Sequence, residues 1–176
     1  ISMMTRDLRR ANYSANAAYC YANSDCGVDG AANQTALLVP SDQCMSFNLD
    51  RNQDGDASTD DAGAFRRNQD GGVGFLEMWV GGSGEGEDPC GLGGSWLRLT
   101  DPNIVDIDVF AITLVNLQDS LAEDGGATLT QNTREVNIQI GGRLRIDEND
   151  SSRPEIRREI EDTIRVRNDF LVRTGP

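Results

Sequence analysis

The chain has 176 residues, enough for one domain with a real hydrophobic core. Its 16 basic residues stand against 29 acidic ones, and the net charge of -13 repels nucleic-acid backbones and anionic lipid headgroups alike. All 16 basic residues are arginine; with no Lys and no His, the commonest general base, the Schiff-base amine and the commonest zinc ligand are missing together.

Ile1, Met4, Leu8, Ala11 and Ala15 recur every three or four residues with Arg6, Asp7, Arg9 and Arg10 between them, which predicts an amphipathic helix. The chain starts inside that pattern without an initiator Met, so we expect an upstream segment to have been removed. Asn12 to Gln43 is rich in Ala, Asn, Ser, Asp and Gly and reads as a loop, with a short strand at Leu37 to Val39. Cys44, Ser46 and Asn48 alternate with Met45, Phe47 and Leu49 as in a half-buried strand, which an Asp/Asn/Gly turn ends. Phe75 to Val80 is a second strand, Gly81 to Gly94 a long loop, and Trp96 to Leu99 extended again. Ile104 to Leu114 alternates with period two and is the clearest strand of all. The polar stretch Asn116 to Thr130 reads as an exposed loop. Val136, Ile138 and Ile140 share one face of a strand that Gly141-Gly142 ends, with Leu144 and Ile146 after the break. In the last segment the pattern favours a strand from about Ile160 to Asn168. One leading helix and many strands predict an α+β class with antiparallel pairing, and no apolar run reaches the roughly 18 residues that a membrane-spanning helix needs.

The four cysteines are Cys20, Cys26, Cys44 and Cys90, with no C-x-x-C pair. Their even number in an acidic, Gly-rich chain predicts an oxidising compartment and two disulfides. Of the three pairings that four cysteines allow, we prefer Cys20 with Cys26 and Cys44 with Cys90.

Several blocks taken in order resemble the PilW family of type IV pilus minor pilins, related to the PulJ/GspJ pseudopilins of type II secretion. They are Arg6-Asp7-Leu8-Arg9-Arg10-Ala11-Asn12-Tyr13, Cys44 to Asp50 followed by Asn52 and Asp54-Gly55, Phe65-Arg66 with Asp70-Gly71 and Glu77, Trp96 with Leu99-Thr100-Asp101-Pro102, and Ile164-Arg165-Val166-Arg167-Asn168-Asp169. The sequence departs from the pattern at Asn12, where Gly is usual, and it lacks the processing site and first half of the pilin helix. The resemblance implies a pilin-like α+β fold, an N-terminal amphipathic helix packed on an antiparallel sheet with long disulfide-stapled loops. Residues 1–16 would be the second half of the pilin helix and 17–176 a globular β head. It implies a non-catalytic subunit that helps to prime or cap the pilus, with Ile1, Met4, Leu8 and Ala11 on the assembly helix. Other minor pilins and a tip adhesin would be its partners, and contact with the inner membrane would run only through the missing half of the helix. The implied location is the periplasm and inner membrane of a Gram-negative bacterium, then the surface pilus. A GspJ-like pseudopilin is the near alternative, and a secreted acidic hydrolase using paired carboxylates is the alternative from another class.

Residues 50 to 61 carry the spacing of an EF-hand-type calcium loop. Asp50, Asn52, Asp54, Ser58 and Asp61 fall at positions 1, 3, 5, 9 and 12, Gly55 takes the turn at 6, and Asp56 would lend its carbonyl at 7. A hard divalent ion wants six to eight oxygens, and carboxylates this close repel one another without one. Position 12 is Asp rather than the usual Glu, and the same residue types also build plain turns. A second copy of Arg-Asn-Gln-Asp-Gly at Arg67 to Gly71 puts Arg66 at the first ligand position, which argues against a second site. Gly81 to Glu85 lacks the last glycine of a nucleophile elbow, and Ser83 has no histidine to activate it.

Overall fold

The computed structural model describes residues 1–13, 37–51, 53, 61–81, 89–90, 95–122, 128–145, 155–167 and 170–174. Among these, one helix, α1 (Ser2–Arg10), leads nine strands: β1 (Leu37–Ser41), β2 (Cys44–Asn48), β3 (Ala62–Asp70), β4 (Val73–Gly81), β5 (Ser95–Arg98), β6 (Val105–Ala122), β7 (Thr128–Leu144), β8 (Arg157–Arg165) and β9 (Phe170–Thr174). The first five strands form one antiparallel sheet in chain order. In the second sheet β7 lies between β6 on one side and β8 and β9 on the other, β9 taking over along β7 where β8 stops.

The expected α+β, pilin-like class, a helix packed on an antiparallel sheet, is thereby corrected. The protein is mostly β, two antiparallel sheets with a single short helix among the described residues. Two features hid the strands. β3 carries Gly63 and two central arginines, Arg66 and Arg67, so no apolar alternation marks it. Its turn is nonetheless written in the sequence: Asp70-Gly71-Gly72-Val73 closes the β3–β4 hairpin with φ of 56° at Gly71 and 86° at Gly72, the two positive values of a type I′ turn. Asn116 to Thr130, expected to be a loop, supplies the far ends of β6 and β7, paired residue for residue down to Ala122↔Thr128. Backbone hydrogen bonds hold this stretch, and they need no apolar pattern.

Gly141-Gly142 does not end a strand either. Ile107 pairs with Gly142 and Val109 with Gly141, so the glycines face a β-bulge in β6 and β7 runs on to Leu144. The Arg66 to Glu77 repeat is the β3–β4 hairpin itself, and Arg66 Nη2 sits 2.8 Å from Glu77 Oε2.

One core joins both sheets and the helix. Its fully buried members include Leu8 of α1, Met45 and Phe65 of the first sheet, and Val136, Ile138 and Ile164 of the second. The sheets meet closely at Gly74, whose N–H donates to Asp106 Oδ1 at 2.8 Å. A Cβ there would run into the carbonyl oxygen of Ile107, so only glycine fits this approach. Beside it Arg67 Nε donates to that same carbonyl at 2.6 Å, and Arg143 Nη2 lies 2.8 Å from Asp106 Oδ2.

Candidate assembly surface

Helix α1 divides the four residues assigned to assembly. Met4, Leu8 and Ala11 are buried in the chain's own core, whereas Ile1 is 39% exposed. Asp7, between them, is buried as well and accepts from Arg6 Nε at 3.1 Å. Two long-range bonds fix the helix on the second sheet: Thr5 Oγ1 donates to Asp162 Oδ2 at 3.0 Å, and Arg167 N–H donates to the Arg9 carbonyl at 3.2 Å. Arg9 and Arg10 occupy the last turn, where positive charge suits the helix dipole. The helix ends at Arg10 with Ala11 as its C-cap, and Asn12 just beyond it has a left-handed φ of 62°. Asn is among the side chains that best tolerate that conformation.

What α1 leaves to solvent is basic. Arg6, Arg9 and Arg10 are exposed, and with Arg167 they border a groove of about 540 Å³ that Ile1, Ser2, Thr5 and Asp162 complete. The adjacent pair Arg9-Arg10 is visible in the sequence. Arg167 and Asp162, more than 150 residues away, reach the groove only through the packing of β8 against α1.

The end of α1 is tied to the base of the acidic loop. Asn12 N–H donates to the Asn48 carbonyl at 2.6 Å, and Asp50 N–H donates to the Tyr13 carbonyl at 3.0 Å. Asp50 and Asp61, the first and twelfth positions of the calcium-type loop, are both buried, at 4% and 1% exposure. Arg51 N–H donates to Asp61 Oδ1 at 2.8 Å and Leu49 N–H to the Asp61 carbonyl at 2.8 Å, so the two ends of the loop are drawn together. Asn52, Asp54, Asp56 and Ser58 lie outside the described residues.

On the face of the first sheet away from the core, Cys44 is joined to Cys90 across 46 residues. Cys20 and Cys26 lie outside the described residues. On the same strands is a layer that the sequence did not announce. Arg66 stacks over Trp96 at 3.9 Å, Trp96 meets Trp79 edge-on at 5.4 Å, and Arg98 covers Phe75 at 3.9 Å. Cross-strand register makes the layer, since Glu77 pairs with both Arg66 and Arg98, and Trp79 with Trp96.

Among the described residues, no helix is long and apolar enough to cross a membrane. No curated protein and no solved structure matches the chain. A family model for prepilin peptidase-dependent protein B (PpdB) matches residues 1–166, nearly the whole length. Together with the disulfide, the match marks an exported, pilus-related protein of the periplasm or cell surface, without singling out the PilW or PulJ type. The chain belongs to the prepilin peptidase-dependent protein B family.

Proposed function

We propose that this protein is a non-catalytic minor pilin that takes part in priming or capping a type IV pilus, with other minor pilins and a tip adhesin as its partners. The observation that carries the reading is the family match over residues 1–166. The short leading helix supports it: its apolar side is used up by the head, and Arg6, Arg9 and Arg10 on its other side are exposed. Deleting the gene and counting surface pili by electron microscopy tests it. Loss of pili restored by the full-length gene is expected. Normal piliation with failed type II secretion would move the protein to the pseudopilins.

We also propose that residues 50 to 61 bind calcium, supported by the ligand spacing and by the closed loop base at Asp50 and Asp61. A ligand that binds only the folded state raises the melting temperature. Calcium should therefore raise Tm, and Asp50→Asn or Asp54→Asn should erase the rise, while Asp60→Asn leaves it. Equal shifts from magnesium and from sodium chloride at matched ionic strength would reduce the loop to a turn.

A further inference from the structure

We infer that the groove between α1 and the end of β8 receives an acidic segment of a neighbouring protein subunit, an inference that rests on the assembly reading above and names the chemistry of the partner. Among the described residues, Arg6, Arg9, Arg10 and Arg167 border the groove with Asp162; Arg6 is paired with Asp7 and Arg10 has an interaction of its own, so Arg9 and Arg167 carry the inference. The whole chain carries a net charge of -13, so this is a local reversal of its field. Asp162 is already engaged, since its Oδ2 accepts the Thr5 hydroxyl at 3.0 Å. Guanidinium groups bind carboxylates through paired, parallel hydrogen bonds, and arginine loses little of that geometry at a protein surface. No lysine exists in the chain to dilute this chemistry.

The surrounding negative charge selects the shape of the partner. A broad anionic surface such as a bilayer would face the repulsion of the entire chain before the groove could touch it. A protruding segment of a few Asp or Glu residues reaches the arginines while the rest of its protein stays outside a screening length of about 8 Å at physiological salt. The groove is an open surface feature of about 540 Å³, which a protruding side chain can enter from solvent. Arg6 is part of the device but also pairs with buried Asp7, so it is a poor residue to alter first. Arg9 and Arg167 are exposed, and the bond between them uses only backbone atoms.

Binding of a fluorescein-labelled ten-residue poly-glutamate peptide to the protein, followed by anisotropy, tests the inference, with a poly-glutamine peptide, inorganic phosphate and phosphatidylglycerol vesicles as parallel arms. The acidic peptide alone should bind, more weakly as salt rises, and the Arg9→Glu/Arg167→Glu double variant should lose roughly tenfold or more in affinity. Arg158→Glu, an exposed arginine elsewhere on β8, should leave binding unchanged while sharing the same change in net charge per site. An unchanged melting temperature for the double variant shows that folding is not the cause. Absence of peptide binding, equal losses from Arg158→Glu, or preference for vesicles or phosphate would each overturn the inference. Piliation of the deletion strain is a separate measurement: loss of pili together with no peptide binding sinks the groove alone, whereas normal piliation sinks the assembly reading and leaves the groove's chemistry to the peptide result.

Discussion

The two sheets contribute to one core by different means. In β1 to β5 every strand pairs with its neighbour in sequence, and both faces are occupied. The inner face holds Met45, Phe65 and Leu76, while the outer face carries the Cys44–Cys90 bridge and the Arg66, Trp79 and Trp96 layer. The second sheet is spread along one hairpin of 18 and 17 residues. Its near half buries the apolar Ile107, Phe110, Ile112 and Ile138; in the far half β6 is exposed from Asn116 to Ser120, and the β7 residues opposite that are buried, Asn132, Thr133 and Arg134, are polar. The lesson is that backbone pairing can fix the shape of a strand far beyond the part that burial stabilises.

The largest expected effect tests that distinction directly. Ile138, completely buried in the near half of the hairpin, should lose about 2–5 kcal/mol on Ile138→Ala, read from urea unfolding at constant slope. A loss below about 1 kcal/mol would mean that the near half is no better packed than the far half.

Next in size is the bridge of the first sheet. Cys44→Ala with Cys90→Ala frees 46 residues of chain and should cost about 2–4 kcal/mol by enlarging the unfolded ensemble. Hydrogen exchange should speed up in β2 and β4 before β7. Uniform acceleration in both sheets would show that they open as one unit and would dissolve the contrast.

The contact between the sheets comes third. Burial alone would push the Asp106 carboxyl up; the Gly74 N–H, the hydrogen bond and charge of Arg143 and the charge of Arg67 outweigh it and hold the group below its ordinary value. A carboxyl with a lowered native value stabilises the fold above its unfolded value, near about 3.9, and that contribution disappears as pH falls through the native value. Asp106→Asn should therefore cost about 1–3 kcal/mol at neutral pH, chiefly through the weakened partnership with Gly74 and its neighbours. The difference from the unaltered protein should shrink as the medium is acidified below about pH 4. A pH-independent difference would remove the ionised carboxylate from the account.

Smallest is Leu117→Ala in the far half of β6, where the side chain is 47% exposed. It should shift stability by no more than about 0.5 kcal/mol, and a loss matching that of Ile138→Ala would show that the far half is packed rather than merely paired.

How far the sequence reaches is clear from particular residues. The alternations at Cys44 to Leu49, Phe75 to Val80 and Ile104 to Leu114 fall on β2, β4 and β6, and the three-and-four spacing of Ile1 to Ala11 falls on α1. In α1 and the near half of β6 one face is packed, so period and burial agree there, whereas β2 and β4 keep the strand period although residues on both of their faces are buried. β3 and the far hairpin escaped because they are held by partners: β3 sits between β2 and β4, and the far half of β6 answers to β7. A strand whose stability comes from its neighbours need not carry an apolar period of its own.

The same division holds for the candidate surface. By itself the sequence determined an acidic, lysine-free and histidine-free chain, the Arg9-Arg10 pair, the ligand spacing of residues 50 to 61 and the cysteines available for bridging. Tertiary structure alone decided that Cys44 meets Cys90, that Asp50 and Asp61 close together at the loop base, and that Arg167 and Asp162 join α1 around one groove. The physical reason is that spacing along the chain governs only what a single helix face or strand face can present. Residues more than a hundred positions apart become neighbours through sheet register and core packing, and both are properties of the whole chain.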